Sequence, residues 1–330
     1  MTQRAPLSAT RLAALLALLC LAALLAITAS LSLGSSSLRP WQWWDSGPEA
    51  DLARDVVIEL RLPRTLAALA VGGLLALAGN LQQILLRNPL ADPYVLGTSG
   101  GACVGALLAI FAGAGTALIN LSAGAGAMAS ILAVFMLAGT GAVMDRARLL
   151  LTGVALASFC GAMSSLLLSL APDGLLRGMV FWLLGDLASA RWEWSLPALG
   201  GLVALLWPFA RDLNLLALGT QPAHALGARI RPLQWLMYFA AAMATALAVT
   251  TAGMIGFVGL IVPHALRLTL GQDQRLLLPA SALAGGTLLL CADILSRLVM
   301  APQQLPVGVI TAIAGAPAFI WLLRSKRKPS

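Results

Sequence analysis

The side chains that usually carry chemistry are few in this chain, and their spacing suits none of the common reactions. Its two histidines, His224 and His264, are far apart and neither has an acidic cluster beside it. The four cysteines, Cys20, Cys103, Cys160 and Cys291, lie in apolar stretches with no Cys-x-x-Cys spacing. They read as small buried hydrophobes, not as a disulfide framework or a metal site. Lysine occurs only as Lys326 and Lys328, in the tail, so no G-x-x-x-x-G-K-[ST] loop is present to reach a nucleotide's phosphates. No Ser-His-Asp or paired-carboxylate arrangement offers nucleophilic or acid–base work. Carboxylates are also missing from the middle of the apolar runs, which argues against an ion-coupled carrier working alone. Asp293 and Arg297 stand four apart near a helix end and can pair on one face. The expectation is a chain that is no enzyme, with no catalytic residue, cofactor or metal, and with energy supplied by a partner.

The segment that does stand out is RNPLADPYVLGTSGGA, from Arg87 to Ala102. Asn88, Pro89, Asp92 and Pro93 end one apolar run, and Gly97, Ser99, Gly100 and Gly101 open the next with small residues that let helices approach. Irregular backbone at membrane depth is tolerated only where protein or a water-filled path surrounds it. Such a junction points to a protein that moves something across.

The elements that must position it are membrane helices. The chain has 330 residues, 59% hydrophobic and 10% charged, with mean hydropathy +0.89. Soluble domains carry roughly 25% charged residues, so the fold class expected is an all-α polytopic membrane protein forming a single domain over residues 1–330. With about 20 apolar residues per span, helices are expected near 11–33, 63–86, 94–113, 117–140, 148–170, 194–210, 232–251, 254–270, 277–294 and 305–323. The first is read as a membrane helix, because its apolar run exceeds the roughly 7–15 residues of a signal-peptide core. With both termini in the cytoplasm, 14 basic residues fall inside and 7 outside, as the positive-inside rule asks. An odd helix count would break that pattern. The net charge of +8 does not imply nucleic acid, since the basic residues are dispersed apart from the tail Arg324-Ser325-Lys326-Arg327-Lys328, an orientation signal.

Three further segments carry expectations. Trp41, Trp43 and Trp44 suit an interfacial belt against membrane lipid. The run Met179–Trp192 is apolar but too short to span, which suggests a short helix at the outer rim. The inner segment 211–231 is too long for a tight turn; Gly219 and Gly227 divide it into one or two small helices. There Leu215, Leu216, Leu218 and Leu226 offer apolar contacts to a soluble partner, or pack as a surface loop. The helices in 63–170 and 232–323 form two groups of four that start on opposite sides, so any repeat between them is inverted.

These motifs resemble the FecCD-type permeases of bacterial ABC importers for iron-siderophores, haem and cobalamin. The likeness runs from Arg61 to Leu323. It rests on RLPR at 61–64, the Arg87–Ala102 segment, LLTGVAL at 150–156, WLLGDL at 182–187, LNLLALGT at 213–220 with AHALG at 223–227, GMIGFVGLIVPHALR at 253–267, ADILSR at 292–297 and LPVGVITAIAGAPAFIWLL at 305–323. The resemblance implies a ten-helix fold like that of the cobalamin-importer permease, in the bacterial inner membrane. It implies a second permease copy, two copies of a soluble ATP-binding cassette ATPase below and a periplasmic binding protein above. The cargo implied is an iron chelate, siderophore or haem, with cobalamin as the alternative. ATPase coupling falls on Leu215, Leu216, Ala217, Leu218, Gly219, Ala223, Leu226 and Gly227. Docking of the binding protein falls on Arg61, Arg64 and Arg297, expected as exposed guanidinium forks at outer helix ends that pair carboxylates. Motif and path residues are Asn88, Pro89, Asp92, Pro93, Gly97, Gly256, Gly259, Pro263 and His264, with the last two placed at an inner helix end. No gate is assigned to the departure Met144-Asp145-Arg146-Ala147-Arg148. A stand-alone carrier and a membrane scaffold are the competing classes.

Overall fold

Alanine, leucine and glycine fill the long segments, and in hydrocarbon such segments must satisfy their own backbone groups, which makes them helices. The computed structural model describes residues 9–34, 42, 47–138 and 145–325. Trp41, Trp43, Trp44, Met144 and Lys326–Lys328 lie outside the described residues. In chain order the helices are α1 (Ala9–Ser32), α2 (Pro48–Asp55), α3 (Leu62–Leu85), α4 (Thr98–Phe111), α5 (Thr116–Ala138), α6 (Arg146–Leu170) and α7 (Asp173–Leu184). There follow α8 (Ser195–Leu206), α9 (Ala210–Leu218), α10 (Thr220–Ala225), α11 (Ile230–Ala252), α12 (Val258–Thr269), α13 (Gln274–Leu298) and α14 (Val307–Ser325). Among the described residues seven helical stretches are long and apolar enough to span, and three shorter apolar helices, α4, α12 and most of α14, accompany them.

Helix limits differ from expectation where the rod absorbs a proline at a change of helix type instead of stopping, at Pro63 after a π-helical turn and at Pro208 in a 3-10 turn. A π-helical turn at Val56–Arg61 joins α2 to α3, so that rod starts well before residue 63. Ser195–Leu218 likewise runs through Arg211, Asp212 and Asn214 until Gly219, whose φ of 142° ends it. The segment 211–231 therefore begins inside a helix. In contrast, α4 and α12 are only 14 and 12 residues long, about 21 and 18 Å at 1.5 Å per residue. Each starts after irregular chain at a left-handed residue, Gly97 (φ 76°) and Phe257 (φ 69°).

At the centre is α3, buried along nearly its whole length and packed on α13, α11, α12 and α8. Close approach is made through glycine, since a Cβ on Gly72 would overlap the Gly285 carbonyl and one on Gly79 the Gly259 carbonyl. Backbone contact of this kind supplies the packing that drives helix association in lipid. The helix pairings repeat: α3 packs on α12 and α13, and α11 on α4 and α5, while α4 meets α5 as α12 meets α13. Arg87, just past α3, lies against Gly219, and α11 begins a few residues beyond α10. The two groups of four therefore run in opposite senses, which is the inverted arrangement. Cys103 and Cys160 are buried as expected, but Cys20 and Cys291 are exposed. Both sit on helix faces that are largely uncovered among the described residues.

Candidate functional site

The first junction, residues 86–97, is folded by its own side chains. Asn88 Oδ1 accepts from Leu90 N–H (3.0 Å) and Asp92 Oδ1 from Tyr94 N–H (2.9 Å), two Asx turns that replace the missing helix. From α3, Gln82 Nε2 donates to the Pro93 carbonyl (3.1 Å) and Gln83 Nε2 to that of Ala91 (3.3 Å). Asn88 and Pro89 are exposed, Pro93 and Gly97 are buried, and Asp92 is half-buried. Asn88 and Leu90 line a cavity of about 280 Å³ with Leu86, Arg146 and Leu150. The second junction, residues 253–257, interlocks with the first. Tyr94 Oη donates to the Ile255 carbonyl and accepts from the Ile255 N–H, both at 2.9 Å. One phenol thus satisfies both backbone groups of an unwound residue. Gly259 admits the Pro93 ring, and Gly256 has open space about its Cα. Pro263 and His264 are buried in the middle of α12, not at a helix end, and His264 stacks edge-on to Phe319 at 6.3 Å. The helix expected over 254–270 instead starts at Val258, because residues 253–257 are unwound, and it ends at Thr269, so its middle falls on Pro263 and His264.

The three arginines do converge, but they are not exposed. Arg61, Arg64 and Arg297 retain 5%, 8% and 4% of their accessible surface. Asp293, fully buried, holds two of them: Arg64 Nη2 lies 2.8 Å from Oδ1 and Arg297 Nε 3.1 Å from Oδ2. Arg64 Nη1 also donates to Gln304 Oε1 (2.6 Å). The end of α1 takes up the rest. Arg61 Nη1 donates to the carbonyls of Leu31 (2.9 Å) and Ser32 (3.1 Å), and Arg297 Nη1 to those of Ser30 (3.3 Å) and Leu33 (3.0 Å). The last carbonyls of a helix lack partners and carry partial negative charge, so cations are drawn there and buried. The pairing of Asp293 with Arg297 was legible from their spacing. Its pairing with Arg64, 229 residues away, was not. Ser30, whose Oγ bonds Arg297 Nη2 (2.9 Å), and Gln304 gave no signal beyond being polar.

At the other end α9 and α10 form a hairpin bent at Gly219. Here the expected contact residues divide. Leu218 and Leu226 are 67% and 60% exposed, and Ala217 and Gly227 are exposed as well. Leu216 and Ala223 are buried and Leu215 is half-buried. Leu216 therefore anchors the hairpin in the core and is not a free contact, since one face of α9 must pack on α3 and α13. The Arg87 guanidinium stands over Gly219, 3.1 Å from where a Cβ would be.

Comparison with known proteins places this architecture. The profile of the FecCD transport family matches residues 20–325. The chain belongs to the FecCD transport family. The vitamin B12 import system permease protein BtuC of Escherichia coli O9:H4 (strain HS) is 40% identical over 318 residues, covering 94% of this chain and 95% of that protein. BtuC of Escherichia coli O17:K52:H18 is 40% identical over 313 residues, covering 93% and 94%. Among solved structures, a transporter described as of the metal-chelate ABC type in an inward-facing conformation superimposes with TM-score 0.81 at 32% identity, covering 93% of this chain and 97% of that one. PsaBC from Streptococcus pneumoniae in complex with Fab, at TM-score 0.55 and 16% identity over 83% and 94%, shares the fold alone. This FecCD protein is thus the multi-pass inner-membrane permease of an ABC importer, and ATP hydrolysis resides in a separate subunit.

Proposed function

We propose that this FecCD permease imports cobalamin. The observation that carries the reading is 40% identity across 94% of the chain to permeases named for vitamin B12 import. It favours the alternative cargo over the iron chelate expected first. In this reading two permease copies enclose the path, a periplasmic binding protein delivers to the arginine end, and two ATPase copies sit below the α9–α10 hairpin, with both termini cytoplasmic. The exposed Leu218 and Leu226 support the hairpin assignment, because exposed leucines in a polar setting suit a protein partner. Burial of the arginines changes the docking mode: a partner's carboxylates must compete with Asp293 and the carbonyls of α1 instead of meeting free guanidinium groups.

Uptake decides the cargo. Cells lacking their own cobalamin permease, given this chain with its binding protein and ATPase, should accumulate labelled cyanocobalamin, with unlabelled ferric siderophore failing to compete. Uptake of a labelled ferric chelate, without cobalamin uptake, would return the reading to iron. For coupling, Leu218→Asp should leave the permease folded, since exposed substitutions usually change stability by about 0.5 kcal/mol or less, while abolishing co-purification of the ATPase.

A further inference from the structure

Between α3, α12 and α13 lies a set of polar side chains that none of the sites above explains. Asn80, Gln83 and Gln274 are buried in the apolar core. Arg267 stands among them, and no carboxylate lies within ion-pair distance of it among the described residues. Amides and a guanidinium in such surroundings cost stability unless they bond one another. Their bonds form one continuous line from the hairpin end to both junctions.

On α9, Asn214 donates to Asp273 Oδ1 (2.9 Å) and accepts from the Gln274 N–H (2.8 Å), so both ends of its amide are fixed to the start of α13. Gln274 Oε1 accepts from Asn80 Nδ2 (2.7 Å). Asn80 Oδ1 accepts from Arg267 Nη2 (3.3 Å), which also donates to Gln83 Oε1. Gln83 Nε2 then reaches the carbonyl of Ala91 in the first junction (3.3 Å) and those of Gly259 (3.4 Å) and Leu260 (3.2 Å) just after the second.

We propose that Asn80, Gln83, Arg267 and Gln274 are positioning residues for energy coupling, transmitting displacement of α9 to the two junctions. This rests on the reading of the α9–α10 hairpin as the ATPase contact. The physical reason is the penalty for moving separately. Hydrogen bonds weaken steeply with misalignment, and a buried group left unpaired bears its full desolvation cost. Arg267 sharpens this, because among the described residues its buried guanidinium is met by the amide oxygens of Asn80 and Gln83 and by no carboxylate. A shift of α9 therefore carries α13, then Asn80 and Arg267, and then the carbonyls flanking both junctions. Proximity alone would not establish such a path; coupled responses do.

The test uses the permease with its ATPase in lipid nanodiscs, the four native cysteines replaced by serine. Leu90→Cys places a reporter on the exposed part of the first junction. Its rate of maleimide labelling is compared without nucleotide and after trapping with ATP and vanadate. The reporter background should show a nucleotide-dependent change. Asn80→Leu, Gln274→Leu and Asn214→Ala should each diminish it at least about fivefold, the lower bound of ordinary coupling, with ATP hydrolysis kept within about twofold. Asn80→Leu combined with Gln274→Leu should be no worse than either alone, because they interrupt one line. Asn214 is half-buried at the hairpin end, so its variant reports even if a core variant fails to fold. An unchanged labelling response in Asn214→Ala with ATPase bound overturns the relay, as do losses that multiply in the double variant. Loss of ATPase association in Asn214→Ala would make that residue a docking contact and likewise overturn it. Normal ATPase association in Leu218→Asp would instead overturn the hairpin reading, independently of the relay.

Discussion

Replacing Asp293 by asparagine keeps the shape of the arginine clasp and removes the carboxylate that pairs with Arg64 and Arg297. Asp293 is fully buried, and its oxygens lie 2.8 Å from Arg64 Nη2 and 3.1 Å from Arg297 Nε. Asp293→Asn leaves two buried guanidinium groups facing each other without a countercharge. Breaking a buried ion pair from one side costs about 3–5 kcal/mol. Arg64→Gln is the informative contrast, because Asp293 then remains paired one-to-one with Arg297. Its cost is that of orphaned hydrogen-bond partners, about 1–3 kcal/mol. The assay is thermal unfolding of the purified permease in detergent. At roughly 2 °C per kcal/mol for a chain of this size, Asp293→Asn should lower the midpoint by about 6–10 °C and Arg64→Gln by about 2–6 °C. Added salt should leave the difference in place, since buried pairs are screened far less than exposed ones. A midpoint for Asp293→Asn equal to or above that of Arg64→Gln would refute the reasoning, because the carboxylate would then not be neutralising both cations.

Three further substitutions probe the junctions and the core. Tyr94→Phe keeps the ring but strips both partners from Ile255, which should cost about 1–3 kcal/mol and lower the hydrogen-exchange protection of residues 253–257; unchanged protection there would count against the interlock. Gly79→Ala drives a methyl group into the Gly259 backbone. Overpacking costs about 1–3 kcal/mol in ordinary cores, and here the neighbour cannot yield by changing rotamer. Gly161→Ala, with open space around its Cα, should be neutral in the same melting assay.

The long helices and the first junction were legible because both depend on local chemistry. Twenty apolar residues must be helical in lipid, and Asn-Pro and Asp-Pro must interrupt them. Burial was not legible, for a reason particular to membranes. Lipid is as apolar as leucine, so Leu121, at 69% exposure, reads like the fully buried Leu74. The same blindness hid the exposure of Cys20 and the anchoring role of Leu216. Arginines at helix ends looked like free cations because headgroup-level arginine usually is free. Only the arrival of α1 and α13 beside Arg61 and Arg64 makes them interior. Asn80 and Gln83, three apart near the end of a largely apolar helix, were the available hint of the relay, but their partners on α12 and α13 lie almost two hundred residues downstream.

The clasp also sets an order of events during synthesis. Arg61 can cap the end of α1 as soon as α3 enters the membrane, only 30 residues later. Arg64 must wait for a carboxylate 229 residues further along, and α1 waits 267 residues for Arg297. At ribosomal rates of roughly 5–20 residues per second, those delays are about 11–46 s and 13–53 s. For that interval Arg64 stands at the membrane edge before its carboxylate has been made, and α1 is held by Arg61 and the Ser30–Thr65 hydroxyl pair (2.7 Å) without the Arg297 bonds. The nascent permease is therefore a loosely tied bundle until its thirteenth helix arrives, and a ribosome stalled before Asp293 would release a chain whose first helix is tied to α3 but not yet clasped from α13.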